Sequence, residues 1–328
     1  DAQEYSRLPT ITSMAERIGG AAGKSTFIEL VPQRTKLGGN GPIMGNALAT
    51  LGLNVTYIGA LGYPNIHPVF ENFAQRAAVH SIADSGHTHA VEFLDGKLML
   101  VKSVSLNDVT WENIQTRFGR ETFTQHFQKA DLIAFVNWTM IPNMSEIWEA
   151  LLKELCPLVQ GPRRKMFFDL CDPEKRGADD IARCLQLISE FQRYFDVTLG
   201  LNEKECCEIS EVLGIPVTNQ TPEGLGEMAL QMRARLQIDT LVVHPVTYAL
   251  AVSGDKVDIV HGPVITKPVI TTGAGDHFNS GFCLGKLLGF ENSYCLLTGV
   301  TTSGYYVKTG QTPTLNDLSG MMCRWPLG

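Results

Sequence analysis

The sequence lacks the features that mark membrane, secreted and nucleic-acid-binding proteins. Its eight cysteines form no C-x-x-C pair, which argues against a zinc knuckle and a disulfide framework. It has no apolar run long enough to span a bilayer and no recognisable signal peptide. It also has no dense Lys/Arg block, and its formal net charge is −7. We therefore expect a cytoplasmic protein with free thiols and with neither a membrane nor a nucleic-acid partner.

Two common nucleotide-binding signatures are missing as well. No Gly-x-Gly-x-x-Gly follows an early strand, so a Rossmann dehydrogenase ranks far below other interpretations. Residues 19–25 imitate a P-loop through Gly23, Lys24 and Ser25. However, Ile18 occupies the position of the first required glycine, and the preceding residues form a poor buried strand.

Alternating strand and helix patterns are what the chain does contain. It has 328 residues, 44% of them hydrophobic and 19% charged, which is a globular composition. The predicted strands are Val55–Ile58, Leu132–Val136, Met166–Asp169, Val197–Leu199 and Leu241–Val243. The predicted helices between them are Pro68–Ala78, Ser145–Leu155, Asp179–Phe191, Glu203–Leu213 and Gly224–Leu236. This alternation predicts an α/β fold with a mostly parallel central sheet.

Two segments do not follow this alternation. Residues 87–104 have β-prone flanks around Asp95-Gly96, which predicts a two-residue hairpin turn. Residues 5–36 are irregular and rich in glycine. We predict one domain over 1–328, an α/β core with a small β appendage from about 5–36 and 87–104. An exposed edge of this appendage invites pairing with a second copy, so a homodimer through it is a further hypothesis.

A glycine-rich loop before a helix is the main chemical signal. Residues 271–276 end in Gly273, Ala274, Gly275 and Asp276, and helical spacing follows to a stop at Gly289. Amides at a helix start attract anions, and glycine lets the backbone approach a phosphate. By itself this pattern fits a glycine turn with a capping aspartate as well as it fits a functional loop.

Two more blocks accompany this loop and favour the functional interpretation. Residues 38–52 combine a Gly-Gly turn with a helix of small residues, and an Asn-x-x-Glu pattern runs from Asn202 to Glu205 after a strand. The three blocks, in this order, resemble the ribokinase (phosphofructokinase-B, PfkB) family over about residues 36–315. The resemblance implies a three-layer α/β/α sandwich with a small β-sheet lid. It also implies a kinase that transfers a nucleotide's terminal phosphoryl group, with ATP as co-substrate, to a sugar, nucleoside or similar polyol.

Residue roles follow from the same resemblance. Asp276 is expected to be the catalytic base, and the amides of Gly273, Ala274 and Gly275 an anion hole. Glu205, through water, is expected to help place Mg²⁺. The remaining expected positions are Asn202, His244 and Thr272 for the nucleotide, and Gly38, Gly39 and Asn40 for the substrate. Asn137 follows a strand, where open α/β sheets bind ligands, so it is expected to contact the substrate, although a turn would explain it equally. The lid would be formed by the hairpin at 87–104 with part of 5–36.

Several departures from the family pattern keep a second hypothesis open. Ile270 and Ile43 replace a usual acid and a usual asparagine, and residues 244–249 lack the two glycines that usually line the nucleotide. The alternative is a catalytically weak or inactive relative that senses a sugar or nucleotide.

Some other candidates have competing structural explanations. Asp169 and Asp172 end a strand, where open α/β sheets bind ligands, but Asp172 precedes a proline and also suits a turn. His87 and His89 lie on one strand face without a third metal ligand. His277 follows the expected base, yet a packed histidine is the commoner outcome.

Overall fold

The computed structural model describes residues 6–217 and 219–324, whose strands form one large sheet and two small ones. The strands are β1 (Thr56–Ala60), β2 (Ala78–Ala83), β3 (His87–Glu92), β4 (Lys97–Lys102), β5 (Leu132–Val136), β6 (Arg164–Asp169), β7 (Phe195–Leu201), β8 (Thr240–Val243), β9 (Tyr248–Ser253) and β10 (Lys256–His261). The large sheet has the order β10-β9-β8-β7-β6-β5. β5 to β8 are parallel, and β9 and β10 are antiparallel. The predicted mostly parallel sheet is confirmed.

The described α-helices are α1 (Ile11–Gly19), α2 (Asn40–Thr50), α3 (Glu71–Ala74), α4 (Trp111–Asn113), α5 (Arg120–Lys129), α6 (Met144–Glu154), α7 (Ala178–Phe191), α8 (Glu203–Val212), α9 (Pro222–Leu236), α10 (Ala274–Leu287), α11 (Asn292–Thr309) and α12 (Leu315–Arg324). Helices from this set cover both faces of the large sheet. None of these described helices combines the length and hydropathy of a bilayer-spanning segment.

The two faces of the sheet bury different cores, because successive strand residues point in opposite directions. Phe167 and Val242 pack with residues of α2, α10 and α11. Met166 and Phe168 pack with residues of α6, α7, α8 and α9 on the other face. The arrangement is the predicted three-layer α/β/α sandwich. The start of α10 therefore lies in the same helical layer as α2, near the carboxyl-terminal ends of the parallel strands.

One predicted helix is wrong. Local spacing predicts a helix over residues 68–78, but α3 ends at Ala74 and Ala78 begins β2. β2 pairs in parallel with β1, as in the pair Tyr57–Val79, so tertiary pairing overrides local helical spacing there. The antiparallel strands β9 and β10 are not among the predicted strands.

The predicted hairpin exists as β3 and β4, paired from His87–Lys102 to Glu92–Lys97. Its turn is shifted by one residue, because the amide of Phe93 donates to the carbonyl of Gly96 over 2.8 Å and leaves Leu94 and Asp95 as the turn. Asp95 accepts a hydrogen bond from the amide of Ile11 at the start of α1, which fixes it there. Met99, Leu100 and Val101 of β4 are about half exposed. Dimerisation through this hairpin stays a prediction.

The close packing of α10 on α11 can be tested with the substitution Gly281→Ala. A Cβ atom at Gly281 would collide with the backbone carbonyl oxygen of Thr298, which cannot move without shifting α11. We expect this overpacking to lower the free energy of unfolding by about 1–3 kcal/mol in urea titrations. Gly19→Ala is the matched control, since nothing lies within 4 Å of a Cβ atom there. Equal stabilities for the two variants would contradict the described helix contact.

Candidate active site

A cavity of about 1560 Å³ opens at the carboxyl-terminal ends of β5 and β6. In α/β sheets with parallel strands, ligands usually bind at these strand ends. The cavity also extends between β1 and β5, both of which line it. Seven of the predicted site residues share its wall: Gly38, Gly39, Asn40, Asn137, Thr272, Gly273 and Asp276. Two of the three sequence blocks, at residues 38–52 and 271–276, are thus brought together around one cavity.

The start of α10 forms one side of the cavity. Gly273 has a φ of 96° and precedes the helix, and the amide of Ala274 donates to the carbonyl of Thr271 over 3.1 Å. A Cβ atom at position 273 would lie 3.2 Å from Ile43 and 3.3 Å from the hydroxyl of Tyr306. Backbone geometry and space therefore both favour glycine. The first-turn amides have no acceptor within the helix, which suits an anion.

Asp276 lies in this first turn and is buried, with 7% of its surface exposed. Burial raises the pKa of its carboxyl to about 7, and the charge of Glu205 adds to the increase. A side-chain hydrogen bond with Asn40 and the charge of Lys36 lower that pKa. The carboxyl is therefore about half ionised at neutral pH, which is suitable for a group that takes up a proton.

Asn40 reaches Asp276 because α2 packs against α10. It is the first residue of α2, and Gly39 before it has a φ of 88°. Deeper along the same contact, the hydroxyl of Ser280 donates to the carbonyl of Met44. The two glycine-containing turns at residues 38–39 and 273 thus begin two helices that face the same cavity.

Asn137 faces the cavity from the end of β5. Its backbone is in the left-handed region with a φ of 67°, and its backbone N–H donates to the backbone carbonyl of Asp169 over 3.0 Å. Its side-chain carbonyl oxygen is buried and has no partner among the described protein groups. Cys171 and Asp172, which also line the cavity, are left-handed too, and such strain is concentrated at ligand sites. The buried oxygen therefore leaves a hydrogen-bond acceptor unused beside the cavity.

Asn202 and Glu205 do not line the cavity, and together they cap α8. The side chain of Asn202 accepts from the amide of Glu205, and one carboxylate oxygen of Glu205 accepts from the amide of Asn202, each at 2.9 Å. The other oxygen of Glu205 accepts from the amide of Asp172 over 2.9 Å. Burial raises the pKa of the Glu205 carboxyl. This carboxylate is therefore rigid and tied to the segment after β6.

His244 also lies outside the cavity wall, behind the start of α10. Its ring is 4.8 Å from that of Phe278, and its Cε1 atom would be 3.2 Å from a Cβ atom at Gly275. Burial lowers its pKa to about 4, so the ring is neutral. Within the part of the chain that the structure describes, no cluster of three His, Cys, Asp or Glu side chains is arranged for a metal ion.

The site also contains groups that are only weakly marked in the sequence. Asp169, a candidate ligand-site residue at the end of a predicted strand, is buried. It accepts a hydrogen bond from the side chain of Asn279 over 2.7 Å. Burial and the charges of Glu205 and Asp276 raise its pKa. Asn279 is not among the predicted residues, but it lies three residues after Asp276, almost one helical turn further along α10.

His277 is a packed residue, in agreement with the commoner interpretation. Its ring stacks on Tyr306 at 3.7 Å, and its nitrogens lie 2.7 Å from the carbonyl oxygen of Gly273 and 3.0 Å from the hydroxyl of Thr312. Tyr306 in turn donates to the carbonyl of Thr272 over 3.0 Å. The loop before α10 is thus held from behind by α11 and the segment after it.

Solved structures with the same architecture include ribokinases. Ribokinase from Thermotoga maritima matches with a TM-score of 0.67, 16% identity and coverage of 92% of each chain. Arabidopsis thaliana ribokinase, complexed with ribose and ATP, matches with the same TM-score and identity, covering 97% of this chain and 93% of that chain. The fold is therefore that of the ribokinase-like kinases.

Sequence comparisons show the family to which the chain belongs within this fold. A family model described as prokaryotic ketohexokinase matches residues 1–324. A curated ketohexokinase from Haloferax volcanii is 28% identical over 319 residues, covering 97% of this chain and 84% of the relative. The chain belongs to the prokaryotic ketohexokinase family. It is a carbohydrate kinase of the PfkB type, which confirms the resemblance seen in the sequence and favours the enzyme over the sensor.

The burial of Asp276 predicts a pH-dependent stability effect. Its pKa rises from 3.8 to about 7 on folding, so folding binds its proton more tightly, and stability is lost as pH rises between these values. Asp276→Asn removes this loss. We expect the variant to be more stable than the wild type at pH 8, by roughly 2–4 kcal/mol in urea titrations, and to gain little at pH 4. Asp255→Asn, in an exposed turn, is the control. A gain that is equal at both pH values would contradict the raised pKa.

Proposed function

We propose that this protein transfers the terminal phosphoryl group of ATP to a hydroxyl of a ketohexose such as fructose, with Asp276 as the base. The observation that carries the proposal is the position of Asp276. Its carboxyl lies buried on the cavity wall, in the first turn of the helix that Gly273 begins. A proton acceptor and an anion-binding backbone therefore lie side by side.

The proposed chemistry uses positioning and charge more than covalent help. The ionised carboxylate of Asp276 accepts the proton of the sugar hydroxyl while the oxygen of that hydroxyl attacks the terminal phosphorus. The amides of Gly273, Ala274 and Gly275 stabilise the negative charge on the transferring group. Asn40 holds the carboxyl through its side-chain hydrogen bond.

The choice of sugar and nucleotide rests on the relatives. The family description and the curated relative both name ketohexokinase, and a solved ribokinase of the same fold is complexed with ATP. Gly38, Gly39, Asn40 and Asn137 share the cavity with Asp276, which supports their assignment to the sugar. Thr272 lines the same cavity and supports a nucleotide contact there, whereas Asn202 and His244 would have to act from outside its wall.

Mg²⁺ prefers oxygen ligands and keeps several waters, so it does not need three protein ligands. Burial and the charges of Glu205 and Asp276 raise the pKa of the Asp169 carboxyl, and a cation bound nearby would lower it. Glu205 would hold the ion through water. A bound Mg²⁺ supplies positive charge that neutralises the nucleotide phosphates.

The lid is assigned to the hairpin and the segment before α2. His87, Thr88, Met99 and Val101 of the hairpin line the cavity, as does Lys36. The tip of the hairpin is bonded to the start of α1, so both parts can move as one unit. Closing them over the sugar would exclude water from the phosphoryl group.

Replacing the base tests the mechanism directly. We expect Asp276→Asn to lower kcat by about 10³-fold or more in an assay of ADP release with fructose, ATP and Mg²⁺, since an amide cannot accept the proton. In the wild type, kcat/KM should fall about tenfold per pH unit below pH 7, where the carboxyl is protonated. Asp255→Asn should leave both unchanged. Near-normal turnover by Asp276→Asn would refute the assigned base.

The metal assignment predicts a change in magnesium requirement. Glu205→Gln keeps the size of the side chain but removes its charge. We expect the Mg²⁺ concentration for half-maximal rate to rise about tenfold, in line with losses seen when groups that support a metal are changed. Glu208→Gln, on the same helix and paired with Lys204, is the matched control. An unchanged Mg²⁺ dependence in Glu205→Gln, with the fold intact by circular dichroism, would exclude Glu205 from the metal site.

A further inference from the structure

Two lysines converge on the loop before α10. Lys97, at the tip end of β4, donates from its ammonium to the hydroxyl of Thr272 over 3.0 Å. Lys36 donates from its ammonium to the hydroxyl of Tyr306 over 3.2 Å. Tyr306 itself bonds to the carbonyl of Thr272. Lys97 therefore contacts the residue that immediately precedes Gly273, and Lys36 is linked to it through Tyr306. Neither lysine belongs to the sequence motifs.

Neither ammonium is neutralised by a carboxylate. Among residues 6–217 and 219–324, the ion pairs within 4.0 Å include neither Lys36 nor Lys97. Each ammonium has three donor hydrogens, and the bonds above use one. Two cations with spare donors thus stand next to a helix start that already favours an anion.

Like charges crowd this side of the cavity. Burial lowers the pKa of Lys36 most, and the nearby charges of Arg34 and Lys97 lower it further, while Asp276 raises it. The opposing effect of the Asp276 charge is smaller than that of either cation, so repulsion between the cations is only partly offset. A second anion at the start of α10 would relieve it further.

We propose that Lys36 and Lys97 bind the transferred phosphoryl group, and that the hairpin delivers Lys97 to it when the lid closes. The inference rests on the proposed function. In the transfer, the bond from phosphorus to the nucleotide oxygen breaks and the bond to the sugar oxygen forms. The sugar proton goes to Asp276, and the nucleoside diphosphate leaves. The lysines hold the equatorial oxygens of the phosphoryl group while charge shifts between the two ends.

The delivery of Lys97 follows from its place on the hairpin. Lys97 is the first residue of β4, next to the turn that bonds to the start of α1. Lys36 instead lies in the segment that leads into α2. A hairpin that moves off the cavity takes Lys97 away from Thr272. Closure would then complete the positive charge around the phosphoryl group only after the sugar is bound.

The test compares Lys97→Met and Lys36→Met with Lys97→Arg and with Lys102→Met. Lys102 is at the far end of β4, so Lys102→Met makes the same change on the same strand. We expect Lys97→Met and Lys36→Met each to lower kcat by about 100-fold with little change in the KM for fructose. Lys97→Arg should recover most of the rate, and Lys102→Met should stay near the wild type.

A binding measurement separates phosphate contact from a structural latch. With Mg²⁺ and saturating fructose present, calorimetry gives the affinities for ADP and for the non-hydrolysable ATP analogue with an imido group between its last two phosphates. We expect Lys97→Met to weaken analogue binding about tenfold, with the affinity for ADP unchanged. A merely structural role would weaken both ligands or neither.

Unchanged kcat and unchanged analogue affinity in both methionine variants would overturn the proposal. Failure of the proposed function would give a different result. If Asp276→Asn kept turnover while Lys97→Met still lost affinity for the analogue alone, the assignment of the base would be wrong and the lysine contact would stand. The binding experiment needs no turnover, so it tests the lysine contact in either case.

Discussion

The site depends on how closely α10 approaches its neighbours. A Cβ atom at Gly285 would lie 2.8 Å from the Cα of Cys295, and one at Gly299 would lie 2.7 Å from the ring of Phe278. Glycines on both helices therefore allow α10 and α11 to meet at backbone distance. Since the helix is rigid, this contact fixes where its first turn points, and with it the carboxyl of Asp276. The aromatic pair of His277 and Tyr306 then holds the preceding loop from the same side.

Electrostatic balance is the second constraint on the site. Three buried carboxyls, those of Asp169, Glu205 and Asp276, influence one another, and their pKa values are raised mainly by burial. Lys36 and Lys97 bond to Tyr306 and Thr272, around the loop before α10. Of these five charged residues, Asp276 and Lys36 line the cavity. Under the proposed function, a phosphoryl group at the start of α10 would lie near charges of both signs.

Sequence patterns could predict the elements that rely on local signals. The parallel strands β5 to β8 are short apolar runs, and α6 to α9 have clear helical spacing, so both can be identified within about two residues. The small-residue face of α10 and the stop at Gly289 are also predictable, because glycine has a distinct backbone role there. Of the residues expected to bind the substrate, Gly38, Gly39 and Asn40 follow from a family block and Asn137 from its position after a strand, and all four line one cavity.

The features that could not be predicted depend on contacts between distant segments. The start of β2 has helical spacing, and only its pairing with β1 makes it a strand. Asn279, Tyr306 and Lys97 have no local signature, since their roles arise from side chains that come together across the fold. Asn202 and Glu205 are the opposite case. Their motif is recognisable in the sequence, but a capping box at the start of α8 explains the same spacing without any functional role.

The division of labour between elements has a consequence for redesign. Under the proposed function the phosphoryl group lies at the start of α10, whereas Asn40, Asn137 and most of the hairpin face the acceptor from other segments. Loops and hairpins tolerate exchange better than closely packed helices do. Libraries directed at the turn after β5 and at hairpin positions other than Lys97 could therefore seek new acceptor alcohols while the residues proposed for phosphoryl transfer are kept.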